Sequence, residues 1–394
     1  MCSDQVTPTE RLRLRLLGTS RRPGESAPSP QEIASGVLPP ADDLLAGLDA
    51  ARSRNMDRSL DANQAFSTVA KFTGAALDKL RGNATAPVSV DEILAVEAVI
   101  RADGSRPSLI VEEGWVDSSH PFARRWEDQL VTARDGIRLF SAATGRIQPA
   151  LGGGPDHYFG SGFYALLKQP VLLTNRHVAL SALKYHGTLA GKPSLAAGDR
   201  VISYQVADGL EVDFNGELTG TSPLKANIVE IRVPVHSSAV RYSVMDVAVM
   251  VLSPKAQYLP APVAISSLPA FEKAGGLSSF CALGFPGRPH KPTSSSIDWD
   301  WVDTQLFQET YGVKRLAPGL VHCGAGTIPE DSQGWVLGHD ATTLGGNSGS
   351  GLFAWLDARE AFALHFSGID AESNFGHGFS TQAAQALLND LVLL

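Results

Sequence analysis

Only three cysteines occur in the 394 residues, Cys2, Cys281 and Cys323, and none lies in a CxxC spacing. That scarcity argues against a disulfide framework and a cysteine-built zinc site and fits a reducing compartment. Inert buried thiols are the expected state, with a Cys281–Cys323 pair left open. No apolar run approaches the ~18 residues that cross a bilayer, because the best candidate, Val244 to Leu252, is broken by Asp246. The N-terminus lacks the apolar core and cleavage site of a secretory signal, so the chain is expected in the cytoplasm, without a membrane partner. Basic residues are outnumbered, 33 Lys and Arg against 41 Asp and Glu for a net charge of −8. The electrostatic footprint of a nucleic-acid-binding protein is therefore missing. There is no HExxH, no carboxylate cluster at metal-ligand spacing, and no Gly-Lys-Ser/Thr after Gly152-Gly153-Gly154. No metal and no cofactor is expected.

What is present suits a globular protein of two or three units, with 43% hydrophobic and 19% charged residues. Residues 1–40, rich in Pro, Ser and Gly, predict a loosely ordered arm. Residues 41–135 predict a mainly helical accessory region: Leu44, Leu45 and Leu48, then Ala65, Val69, Phe72, Ala76 and Leu80, recur at helical spacing. Further helices are expected over 91–100 and 126–133, with a short strand at Leu109-Ile110-Val111 between them. After Ile137 the pattern turns to short β-branched and aromatic runs punctuated by Gly and Pro, as in an all-β barrel or sandwich. A last helix is expected over 381–393, capped by Ser380.

Three blocks carry chemistry. Gly160-Ser161-Gly162-Phe163, where small residues permit close backbone approach, leads to the apolar strand Val171-Leu172-Leu173 and on to Thr174-Asn175-Arg176-His177. A histidine at the end of a buried strand is held rigidly with one ring edge free, as a general base requires. Asp246 lies just inside the apolar strand 243–251, and a buried carboxylate needs a partner such as the Nδ1–H of a histidine. In Gly345-Gly346-Asn347-Ser348-Gly349-Ser350-Gly351 the glycines allow a sharp turn that exposes the Ser348 hydroxyl and aims successive N–H groups at one point, the requirement for a nucleophile beside an oxyanion hole.

The order His177, Asp246, Ser348 is that of one convergent triad family. The blocks TNRHV, Asp-Val-Ala-Val and GGNSGSGLF, with Gly284-Phe285-Pro286-Gly287, resemble the motifs of chymotrypsin-fold (trypsin-like) serine peptidases. The resemblance implies two six-stranded antiparallel β-barrels, over 137–254 and 255–394, the second including the C-terminal helix. It implies His177 as base, Asp246 as its orienter, Ser348 as nucleophile, and the N–H groups of Gly346 and Ser348 as the oxyanion hole. Asn347 stands where zymogen-activated members carry an aspartate that pairs with a newly cut N-terminus, so activation by clipping is not expected.

The nearest branches by resemblance are the bacterial V8-like glutamyl endopeptidases and the HtrA-like protease domains. With one helix expected after the second barrel, a PDZ module is not expected. Ala363-Leu364-His365-Phe366-Ser367-Gly368 is similar to the Gly-Ile-His-Trp-Gly-Gly strand of the V8-like group, which with a threonine near the serine forms the P1 pocket. The implied substrate-binding residues are Thr343, His365, Phe366, Ser367 and Gly368. Imidazole and hydroxyl donors suit glutamate or glutamine at P1, although Leu344 is an insertion relative to the V8 spacing. The expected activity is that of a serine endopeptidase acting on proteins or peptides; the alternative is a catalytically silent module that holds a peptide by β-augmentation. The accessory region is the expected regulatory surface and the place for a regulatory partner.

Overall fold

A computed structural model describes residues 105–392 except 220–223, 236–241, 257, 267–277, 289–298, 327, 329–330, 355–359 and 370–372. The expected arm and the helices over 41–80 and 91–100 lie outside the described residues. The described chain opens with a hairpin, β1 (Leu109–Glu112) and β2 (Trp115–Val116), and two helices, α1 (Glu127–Thr132) and α2 (Arg134–Ala143). The expected strand at 109–111 and helix at 126–133 are thus present. Helix α2 buries Ile137, Phe140, Ser141 and Ala143 and leaves Arg134, Asp135 and Arg138 in solvent, the one-sided spacing of a helix packed on a core. It carries the chain past Ile137, so the first barrel strand starts at Thr144.

The first half comprises β3 (Thr144–Pro149), β4 (Gly160–Leu166), β5 (Pro170–Thr174), α3 (Arg176–Tyr185), β6 (Thr188–Leu189), β7 (Ser194–Ala196), β8 (Val201–Asp208), β9 (Leu210–Asp213), β10 (Lys225–Pro234) and β11 (Ala248–Leu252). Antiparallel pairing runs β3-β4-β5-β11-β10-β9 and back to β3, closing a six-stranded barrel. Closure leaves no unpaired edge among these strands. Strand β12 (Val263–Ile265) pairs in parallel with β4 and with a strand of the second half, bridging the two. The second half comprises β13 (Ser278–Gly284), β14 (Arg315–Cys323), β15 (Val336–His339), β16 (Gly351–Ala354), β17 (Glu360–Ile369) and β18 (Ser373–Gly378). Pairing β13-β14-β15-β18-β17-β16 and back to β13 closes a second antiparallel six-stranded barrel, as the resemblance implied.

Phe353 of the second barrel stacks on Phe140 of α2 with centroids 4.2 Å apart and meets Phe163 of the first barrel edge-on at 5.6 Å, so the barrels share a core. The final helix, α4 (Gln382–Val392), buries Ala384, Leu388, Leu391 and Val392. Its cap is Thr381, whose Oγ1 accepts from Ala384 N at 3.1 Å, one residue beyond the expected Ser380. At its other end Arg232 of β10 donates to the carbonyls of Leu391 and Val392, both at 3.3 Å, satisfying acceptors that a helix terminus leaves open. Cys281 is a free thiol with no exposed surface and therefore does not pair with Cys323; burial raises its pKa, which makes it an inert core residue. Among the described residues no helix is long and apolar enough to cross a membrane.

Candidate active site

His177 sits in the first turn of α3, three residues after β5 ends, and not on the strand end expected from its sequence. The helix starts there because Asn175 is extended and the Asp246 carboxylate accepts the His177 N–H, one of the donors that a helix start leaves open. Asp246 lies two residues before β11, again outside the strand proper. The pairing of β5 with β11, Ala248 opposite Thr174, brings these two strand-flanking residues together.

Their contact is two-pronged. Asp246 Oδ1 accepts the main-chain N–H of His177 at 3.0 Å, and Oδ2 lies 2.5 Å from His177 Nδ1. The carboxylate therefore fixes both the helix start and the ring, and selects the tautomer that leaves Nε2 as the proton acceptor. Asp246 is itself held at both ends of its peptide unit. Its carbonyl accepts from Asn175 Nδ2 at 2.8 Å, and its N–H donates to His377 Nε2 at 3.1 Å. Burial pushes the Asp246 carboxyl up, but the hydrogen bonds and charge of His177 outweigh it and hold the pKa below the ordinary carboxylate value. Asp246 is thus ionised at neutral pH while His177 stays partly open, its side chain 38% exposed.

Ser348 reaches this place through Gly160 and Ser161. Ser161 N donates to Ser348 O at 2.9 Å, and Thr174 Oγ1, at the end of β5, donates to Ser161 O at 2.7 Å. A Cβ on Gly160 would lie 2.9 Å from both Ser348 O and a methyl of Val178, the neighbour of His177. The serine loop and the histidine helix converge over this bare backbone, as the small residues of Gly160-Ser161-Gly162 led us to expect. Gly349 has φ +89°, and a Cβ there would meet Ser161 O at 2.0 Å, so only glycine fits. Within the loop Asn347 N donates to Leu344 O, Ser350 N to Asn347 O and Gly349 N to His365 O, and the N–H groups of Gly346 and Ser348 take no part in these bonds.

The expected substrate-binding residues divide. His365 is buried behind the serine loop, its N–H donating to Ser350 O at 2.9 Å and its Nδ1 lying 3.2 Å from His339 Nε2. Burial, with the neighbouring imidazoles of His339 and His177, drives its pKa well below the ordinary imidazole value, so it is neutral. Thr343 is half-buried. The Phe366 ring is buried and stacked on His377 with centroids 3.8 Å apart. Ser367 and Gly368 continue β17 opposite Phe375 and Asn374, after a bulge at Phe366.

Several residues in this arrangement were missed in the sequence. Asn175 and Ser161 lie inside motifs already singled out and were readable there. His339 and His377 stand in apolar strand context, a weak signal for buried polar roles. Arg106, paired with Asp340 from 234 residues away, left no signal. Asp213, another buried carboxylate of the first barrel, is engaged by Arg146 at 3.3 Å and accepts from Asn215 N at 3.0 Å.

No protein-family model matches the chain. Among solved structures, it is similar to a protease of M. tuberculosis in its active form, at 15% identity over 66% of this chain and 86% of that one, TM-score 0.34. It is also similar to a Glu endopeptidase, at 15% identity over 63% and 89%, TM-score 0.38. A curated protein of Lysobacter enzymogenes, named "Probable serine protease", is 37% identical over 299 residues, 75% of either chain. With that relative and a two-barrel, chymotrypsin-like architecture, the chain belongs to the serine proteases.

Proposed function

We propose that the protein is an endopeptidase in which Ser348 attacks the scissile carbonyl, His177 Nε2 takes the serine proton, and Asp246 orients and stabilises the imidazolium. The Ser348 Oγ–carbon bond forms as the carbonyl becomes an oxyanion, held by the N–H groups of Gly346 and Ser348. Collapse expels the amine with the proton from His177 and leaves an acyl-enzyme that water hydrolyses by the same route. The observation that carries this reading is the two-point grip of Asp246 on the N–H and ring of His177.

For P1 we propose glutamate or glutamine. If His339 Nε2–H donates to His365 Nδ1, the neutral His365 carries its proton on Nε2, which a P1 side-chain oxygen takes over from the main-chain hydrogen bond to Phe375. Thr343, half-buried in the loop that leads to Ser348, is the second proposed donor. A basic P1 side chain finds no counter-charge in Asp340, whose carboxylate is already forked to Arg106. The test is a P1-randomised peptide library read by mass spectrometry, with wild type and His365→Ala. Glu and Gln should lead, and the variant should lose that preference by roughly 5–150-fold, the ~1–3 kcal/mol of an unpaired buried acceptor. Cleavage led by Lys or Arg, or an unaltered profile in the variant, would overturn the pocket and leave the triad standing. Absence of any cleavage would favour the silent peptide-binding module.

A further inference from the structure

The segment before the first barrel is sewn into the second barrel next to the catalytic loop. Arg106 is 1% exposed, and its Nε and Nη2 donate to Asp340 Oδ1 and Oδ2, both at 2.8 Å. Its main-chain carbonyl accepts the Thr342 hydroxyl at 2.5 Å. Ser105 O accepts from Trp126 Nε1 at 3.0 Å, and the guanidinium lies over the Trp126 ring, 5.6 Å from its centroid. Beyond it, β1 pairs with β14 through Leu109 opposite Leu316, and Arg315 donates to Ser108 O. Asp340 also ties to β14, its Oδ1 accepting Leu320 N at 2.7 Å and its N–H donating to Leu320 O at 3.1 Å.

Asp340 and Thr342 begin the loop that runs through Thr343, Gly346 and Asn347 to Ser348. Asn347 carries no charge, so this loop has no ion pair at its serine end. A bidentate guanidinium–carboxylate pair stands at its other end, the carboxylate from Asp340 of the loop and the guanidinium from Arg106 of the N-terminal region. We propose that residues 105–112 are a built-in strap that holds the 340–349 loop in its working shape, with Arg106 as a positioning residue for the P1 pocket. The site is then formed without cleavage, and whatever displaces the strap switches selectivity off. The part concerning P1 rests on the function proposed above; the ordering of the loop does not.

Two variants of the full chain separate the strap from mere structure. Arg106→Lys keeps the charge and loses the fork; Thr342→Val removes the loop-to-strap bond and leaves no buried charge unpaired. Amide hydrogen exchange should speed up at least tenfold over 340–349 in both, with the amides of β3, β4 and β5 unchanged. On peptides, KM for a Glu P1 substrate should rise at least tenfold with kcat within threefold. Exchange over 340–349 within twofold of wild type, or acceleration spread evenly over both barrels, would overturn the strap. Should wild type show no Glu or Gln preference, the pocket reading fails, and the exchange result alone decides the strap.

Discussion

Replacing Asp246 by asparagine tests the orienting role in a way the geometry makes specific. The substitution keeps the size and shape of the side chain, so packing is preserved. What changes is hydrogen-bond polarity, and the structure dictates which way the amide turns. One terminal atom must accept the main-chain N–H of His177, now bonded at 3.0 Å to Oδ1. Turning the amide NH2 toward that N–H would leave two buried donors facing each other, at a cost of ~1–3 kcal/mol. The oxygen therefore stays there and the NH2 takes the Oδ2 position, 2.5 Å from His177 Nδ1 in the wild type. A donor there forces Nδ1 to accept and moves the ring proton to Nε2, where it can no longer receive the Ser348 proton. The expected loss is about 10⁴ in kcat, or ~5.4 kcal/mol of transition-state stabilisation. Steady-state hydrolysis of an activated ester, with a thermal melt to show the fold intact, measures it. A loss under tenfold with an unchanged melt would refute the reasoning and move the orienting role to another group.

Further expectations follow from the same geometry. Gly160→Ala should press its methyl on Ser348 O and Val178, each 2.9 Å from the position of the new Cβ, and lower kcat by about 10² as the loop shifts against the helix; activity within threefold of wild type would show that the two are not mutually positioned there. Burial drives the pKa of His339 and of His377 down to about 3. Their unfolded forms protonate near 6.5, so stability is greatest above that value and falls as pH drops from 6.5 toward 3, each histidine adding a slope of ~1.4 kcal/mol per unit. Urea melts at pH 7.5, 6 and 5 check this, and flat stability across that range would contradict it.

The site was legible where its residues cluster in sequence. His177 and Ser348 stand in short blocks whose small residues exist for one geometric reason, the close approach at Gly160 and Gly349, and Asp246 is conspicuous as a charge in an apolar run. Local conformation was less legible, because helix α3 and the approach to β11 are set by tertiary pairing rather than by periodicity. His177 therefore fell on a helix and not on a strand end, and the stacking of Phe366 on His377 had no local signal. The long-range polar contacts were not legible at all. Arg106 and Asp340 are 234 residues apart, and His377 and Asp246 are 131 apart. Nothing local distinguishes a buried, partnered arginine or histidine from a solvated one, since only the closed second barrel brings each partner within reach.

The central claim, that His177, Asp246 and Ser348 act as one nucleophilic unit, is tested most directly by a fluorophosphonate probe on the full-length protein, with the modified residue mapped by mass spectrometry. The account predicts a single phosphonylated residue, Ser348, with labelling slowed at least a hundredfold in His177→Ala at neutral pH. Failure of the wild type to label, attachment at another serine, or equal labelling rates in wild type and His177→Ala would contradict it.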